Sequence, residues 1–129
     1  MIYIILNIIP IAVATLAALL IDALWFGIAR LRPPGIVTLV GIAALQFWFA
    51  AILAGALILA PPKADPWVMA VGSAVVIWIG FVAPAVAVGH LARRSGTAAL
   101  VTDCLAWLAI MVAEAVVLKM IGLVPPPVG

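Results

Sequence analysis

The chain has 129 residues, of which 70% are apolar and 8% are charged, with a net charge of +2. Soluble domains contain about 45–50% apolar and about 25% charged residues, and soluble monomers rarely expose the large apolar patches that this composition would create. The composition therefore excludes a soluble enzyme and predicts an integral membrane protein. The single cysteine, Cys104, cannot form an intrachain disulfide, so cysteine usage indicates no compartment.

Four apolar segments follow one another along the chain, at about residues 2–28, 36–60, 66–89 and 97–123. The segments are separated by proline-containing breaks at 33–35 and 61–66 and by a basic turn at 90–96. A proline run follows the last segment. Each segment is long enough to cross about 30 Å of hydrocarbon. We predict a single all-α domain over residues 1–129, a four-transmembrane-helix antiparallel bundle with kinks only near Pro10 and Pro84. The first segment lacks a basic leader and is longer than a secretory signal, so we expect it to be retained.

The arginines predict an orientation. They lie in two pairs at the ends of the first and third segments, whereas the break at 61–66 carries Lys63 offset by Asp65. The pairs are Arg30 with Arg32 and Arg93 with Arg94. By the positive-inside rule we expect a bacterial cytoplasmic (inner) membrane protein with both termini on the periplasmic side. The similar runs 27–32 and 89–94 indicate either two weakly repeated hairpins or two helix ends that obey one charge rule.

Several motifs occur in a recognisable order: Pro10, then Asp22-Ala23-Leu24-Trp25-Phe26-Gly27, then Trp78-Ile79-Gly80-Phe81-Val82-Ala83-Pro84, His90-Leu91 with the basic turn, and Asp103 with Trp107-Leu108. Their order and spacing resemble those of the "domain of unknown function 1761" membrane proteins over most of the chain. The resemblance implies a small four-helix integral membrane protein, and it supplies no activity.

Six polar residues fall within or beside the apolar segments, where charges are expensive and usually face the interior of the bundle. They are Asn7, Asp22, Gln46, His90, Asp103 and Glu114. One interpretation makes Asp22, Gln46, His90 and Asp103 a cytoplasmic-side cluster and Asn7 with Glu114 a second layer, as steps of a proton or cation path. In the other interpretation each acid is protonated, forms a hydrogen bond to a neighbouring helix or pairs with Arg30, Arg93 or Arg94, and His90 is a helix cap.

Two acids lie eleven positions apart, which places Asp103 and Glu114 on one face of the fourth helix. We expect both to point into the bundle or into a protein interface. Asp103 should lie near Asp22, His90 or an arginine, and Glu114 should lie in the outer half near Asn7 or the N-terminal end of the first helix. If Glu114 has no partner within the chain, a missing subunit or ligand must supply one.

Three tryptophans, Trp48, Trp78 and Trp107, fall near mid-membrane and away from the interfaces that tryptophan prefers. They suit contacts with a flat apolar molecule such as a quinone, carotenoid or lipid, contacts with a partner protein, or simple core packing. We expect no other cofactor. One histidine and one cysteine cannot form an ordinary zinc site.

No catalytic or nucleic-acid-binding motif is visible, and an acid–base enzyme built on Asp103 and Glu114 is the enzymatic alternative left open. The leading interpretation is an accessory or assembly subunit packed against a larger membrane complex. The alternatives are a small proton-coupled transporter that uses intramembrane carboxylates, and a binder of an apolar ligand. Expected partners are membrane lipids and either other integral membrane subunits or further copies of the chain.

Overall fold

The computed structural model describes residues 1–127 and is a packed bundle of four long apolar helices. The elements are α1 (Ile2–Leu6), α2 (Ile8–Ile28), α3 (Ile36–Leu59), α4 (Pro66–Ile77), a π-helical turn (Trp78–Val82), α5 (Ala83–Arg93) and α6 (Thr97–Ile121). The α4 helix, the π-turn and α5 form one span. All four spans are long and apolar enough to cross a membrane, which confirms the predicted fold class.

In cross-section, each of the four spans occupies one corner of the bundle. Helix α2 packs most extensively against α6 and also against α3, while the third span packs against α6 and α3. Within the described residues, α2 and the third span make no contact, so they occupy opposite corners. This arrangement decides which polar residues can meet.

Small side chains line the centre of the bundle. Alanines 14 and 18 of α2, 50, 51 and 54 of α3 and 115 of α6 are completely buried. Without a hydrophobic driving force inside lipid, helices associate where small residues let their backbones approach closely. Gly55 shows how tight the packing is, because a Cβ there would lie 2.9 Å from the hydroxyl oxygen of Tyr3.

The first span is interrupted at Asn7, which separates the short α1 from α2. Pro10 explains the interruption, since it lacks the N–H that the carbonyl of Leu6 would accept in a continuous helix. The interruption lies near one of the two predicted kinks. The first membrane-crossing helix therefore begins at Ile8 and not at Ile2.

The third span contains the second irregularity. Pro84 cannot donate to the carbonyl of Gly80, and the turn before it is π-helical, with the N–H of Ala83 bonded to the carbonyl of Trp78. The kink predicted near Pro84 thus takes the form of a widened turn. This span continues to Arg93, four residues beyond the predicted end, so His90 lies in the helix and not in the connecting turn.

The predicted start of the third span is confirmed. Asp65 is the N-cap of α4, and its Oδ1 accepts hydrogen bonds from the N–H groups of Trp67 at 2.9 Å and Val68 at 3.4 Å. Pro66 occupies the first turn, where its missing N–H has no consequence.

Candidate functional site

A polar pair joins the first and second spans. The Gln46 Nε2 of α3 donates to the Asp22 Oδ2 of α2 at 2.8 Å. Gln46 is buried, and its Oε1 has no hydrogen-bond partner within residues 1–127. An amide fixed at one end in this way presents its remaining oxygen to the interior of the bundle.

Glu114 lies on the buried face of α6, beside Met111, Ala115 and Leu118. Its side chain is 0% exposed, and neither carboxyl oxygen has a hydrogen-bond partner in the described part of the chain. Helix α2, which carries Asp22, packs more extensively against α6 than any other helix does. We call Asp22, Gln46 and Glu114 the core carboxyl site, because helices α2, α3 and α6 each contribute one of its residues.

The core carboxyl site has access to one end of the bundle. Asp22 lines a cavity of about 360 Å³ between the end of α2, the turn containing Pro33 and Pro34, and the start of α3. The Arg30 and Arg32 positions lie at this same end, directly after α2. Asp22 is the one member of the core carboxyl site that lines this cavity.

A second polar group lies between α5 and α6. The His90 Nε2 is 2.7 Å from the Asp103 Oδ2, and the His90 Nδ1 is 2.9 Å from the Ser95 Oγ. The Ser95 hydroxyl also lies 3.2 Å from the backbone oxygen of His90, to which it can donate. Arg94 in the left-handed region and Gly96 at φ 89° turn the chain sharply enough to bring Ser95 back under the ring.

Both ring nitrogens of His90 are engaged within the chain, one with the Asp103 carboxyl group and one with the Ser95 hydroxyl. The Ser95 hydroxyl donates to the backbone oxygen of His90 at the end of the third span, and the contact between His90 and Asp103 joins this span to α6. The carbonyl at this helix end is therefore bonded by the Ser95 side chain and not by the His90 ring.

The structure corrects the predicted four-residue cluster. Asp22 and Gln46 form one pair between α2 and α3, and His90 and Asp103 form another between α5 and α6, with no hydrogen bond between the two pairs in the described residues. Asp103 does meet His90, as expected. The periodicity of each helix fixes which face a residue occupies, but it does not determine which helices are neighbours.

Glu114 and Asn7 make no hydrogen bond to each other in the described residues. The Asn7 Nδ2 donates to the backbone oxygens of Tyr3 and Val124, both at 2.8 Å, and its Oδ1 accepts from the Val124 N–H at 2.7 Å. Both N–H groups of the Asn7 amide are therefore used by the backbone, and neither is left to donate to a carboxylate.

The three mid-membrane tryptophans have different surroundings. The Trp78 Nε1 donates to the backbone oxygen of Cys104 at 2.9 Å, and the Trp107 ring lies 5.4 Å from the ring of Phe49. Trp48 is 50% exposed on the outer surface of α3. They therefore do not form one common site.

A groove of about 480 Å³ lies beside the His90–Asp103 pair. Its lining includes Phe49, Phe81, His90, Arg93, Asp103 and Trp107. The sequence predicted site roles for Trp107, His90 and Asp103 and offered Arg93 as a partner for the acids, but it assigned no site role to the two phenylalanines. Within residues 1–127, no three His, Cys, Asp or Glu side chains are grouped as metal ligands would be.

No protein-family model matches the chain, and no curated protein or solved structure is significantly similar to it. The resemblance to the "domain of unknown function 1761" proteins stays a prediction.

Proposed function

We propose that this small polytopic membrane protein is a proton-coupled transporter unit in which the core carboxyl site binds the coupling proton. The observation that carries the proposal is Glu114, a carboxyl group enclosed by the bundle with both oxygens unpartnered in the described residues. A buried carboxylate without a partner is unfavourable by several kcal/mol, or roughly 2.5–3.5 kcal/mol on membrane-insertion scales. Function is the usual reason for keeping such a group.

The enclosure of Glu114 favours a small ligand over a protein partner. A neighbouring subunit cannot contact a side chain that is 0% exposed unless the bundle opens. In this proposal a proton enters through Asp22, which lines the cavity at the arginine end and belongs to the helix that packs most extensively against α6. Asp22 then serves as the entry group and Glu114 as the inner group, while Gln46 holds Asp22 in place.

We further propose that the working unit contains more than one copy of the chain. Four helices enclose only a short polar path, and the third span buries the smallest share of its residues within the bundle. That span therefore offers the broadest apolar face to a second copy or to lipid. Chemical crosslinking in native membranes would give a band of twice the monomer mass.

Proton movement in reconstituted vesicles tests the transport proposal. Liposomes containing the protein and trapped pyranine, energised by a valinomycin potassium potential, should acidify faster than vesicles without protein. Glu114→Gln and Asp22→Asn should each reduce the rate to that of the empty vesicles, because an amide cannot release and rebind a proton. Asp103→Asn, which changes a carboxyl group outside the site, should keep the flux.

Two results would contradict the proposal. One is a wild-type rate equal to that of empty vesicles, and the other is unchanged flux in the Asp22→Asn, Glu114→Gln double variant. Monodispersity of each variant in detergent shows whether it is folded, so that lost flux is not mistaken for a lost structure.

An accessory or assembly subunit is the second candidate, and Trp48 is the observation that favours it. This tryptophan lies at the middle of α3 and is half exposed, and its indole N–H makes no hydrogen bond to residues 1–127. In hydrocarbon such a donor lacks an acceptor, whereas a partner helix can provide one. Purification in mild detergent from native membranes should then retain a partner that Trp48→Leu releases.

We propose that the chain lies in a bacterial inner membrane with both termini on the periplasmic side, since all four arginines lie at one end of the alternating spans. In a Cys104→Ala background, Ala64→Cys should react with an impermeant maleimide in intact cells. Leu31→Cys, in the turn at the opposite end, should react only after permeabilisation. The reverse labelling pattern would overturn the orientation.

A further inference from the structure

The groove beside the His90–Asp103 pair has an apolar end and a polar end. Phe49, Phe81 and Trp107 line it near the middles of their spans, while His90, Arg93 and Asp103 line it near the arginine end. A molecule that fills this groove must therefore be amphipathic, with its tail toward the membrane centre. The groove is separate from the core carboxyl site.

The polar end offers both donors and an acceptor. Arg93 makes no ion pair among the described residues, so its guanidinium N–H groups are available to a ligand. The Asp103 Oδ2 is engaged by His90, but the Asp103 side chain is 35% exposed and retains accepting capacity. One cation, one carboxylate and an imidazole together suit a head group without a large net charge.

The apolar end is aromatic. The rings of Phe49 and Trp107 lie 5.4 Å apart with planes inclined at 55°, and Phe81 projects from the π-turn into the same groove. Aromatic walls favour a flat ring, which stacks against them at an offset or meets them edge to face. The volume of about 480 Å³ lies within the range of small-molecule sites.

We propose that this groove binds a membrane quinone. One carbonyl oxygen of the quinone accepts from Arg93, its flat ring lies against Trp107 and Phe81, and its isoprenoid tail leaves toward lipid, while His90 holds Asp103 in place at the polar end. The reduced form of the quinone carries O–H groups, and these can donate hydrogen bonds to the Asp103 carboxylate. The same site thus holds both forms without any change in the protein.

Other membrane molecules match fewer of these features. A phospholipid phosphate would meet the Asp103 carboxylate as well as Arg93, so part of its attraction would be cancelled. A carotenoid hydrocarbon would leave the Arg93 and Asp103 end without a partner. A quinone alone uses the donors, the acceptor and the aromatic wall together.

Tryptophan fluorescence provides the test, because bound quinones quench nearby indoles. Titrating the purified protein in detergent with decylubiquinone should give saturable quenching, and Trp107→Phe should lose the saturable component. Arg93→Gln should weaken the apparent affinity about tenfold, as expected for one lost hydrogen bond from a charged donor. Arg94→Gln is the matched control, since the adjacent Arg94 does not line the groove.

Several outcomes would overturn the proposal. Quenching that rises linearly without saturation would indicate partitioning into the micelle only. Equal affinities of Arg93→Gln and Arg94→Gln for decylubiquinone would show that Arg93 does not bind the quinone. Full displacement of decylubiquinone by phosphatidylglycerol at equal concentration would assign the groove to a phospholipid. Because neither variant touches the core carboxyl site, these results are independent of the transport experiment.

Discussion

Replacing Glu114 by methionine is expected to stabilise the protein while abolishing proton flux. The carboxyl group is wholly buried with both oxygens unpartnered among residues 1–127, and methionine has a similar volume and flexibility. Removing a buried unsatisfied polar group recovers about 1–3 kcal/mol. Thermal unfolding in detergent, followed by circular dichroism, should show a higher Tm for the variant than for the wild type.

Two further variants distinguish the effect of losing the carboxyl group on stability from the effect of losing packed volume. Glu114→Ala removes the same carboxyl group but leaves a cavity beside Met111 and Leu118, so its Tm should fall below that of Glu114→Met. Leu118→Met, an apolar exchange on the same buried face, should change the free energy of unfolding by less than about 1.5 kcal/mol. A lower Tm for Glu114→Met than for the wild type would mean that the carboxyl group has a stabilising partner.

The fold follows closely from the sequence because hydrocarbon leaves the chain few choices. Inside a bilayer every backbone polar group must be bonded internally, so a continuous apolar run of this length becomes a helix. Prolines and charges then mark the turns. The predicted ends differ from the structure by a few residues where apolar and polar signals overlap: the third span continues to Arg93, and the fourth ends at Ile121 instead of residue 123.

The candidate sites could be predicted from the sequence only in part, because they depend on which helices are neighbours. The sequence placed Asp103 and Glu114 on one face of α6, yet that face meets different partners along its length. Near its start Asp103 contacts His90 of α5, and deeper in the bundle Glu114 is buried with no hydrogen-bond partner among residues 1–127. The groove was missed because its three rings come from three spans, each with an ordinary apolar pattern.

Asn7 has the most demanding hydrogen-bond geometry in the described chain. It is completely buried, both of its Nδ2 hydrogens have acceptors, and its Oδ1 accepts from the backbone N–H of Val124. The bond pair to Val124 joins residues 117 positions apart and attaches the segment after α6 to the start of the first span. The amide both donates to the carbonyl and accepts from the N–H of Val124, which neither an apolar side chain nor a carboxylate can do.

Substitutions at Asn7 should therefore release the segment at 122–127. Asn7→Ala leaves the Val124 N–H and carbonyl without the amide and should lower the free energy of unfolding by about 1–3 kcal/mol. Asn7→Asp should destabilise at least as much, because its carboxylate oxygens face the Tyr3 and Val124 carbonyls. Amide hydrogen exchange at Val124 should accelerate in both variants.

Thr15→Ala, which removes a buried hydroxyl bonded only to the carbonyl of Ile11 in its own helix, should leave that exchange unchanged. Equal exchange at Val124 in Asn7→Ala and the wild type would show that the segment is held by apolar packing and not by the amide.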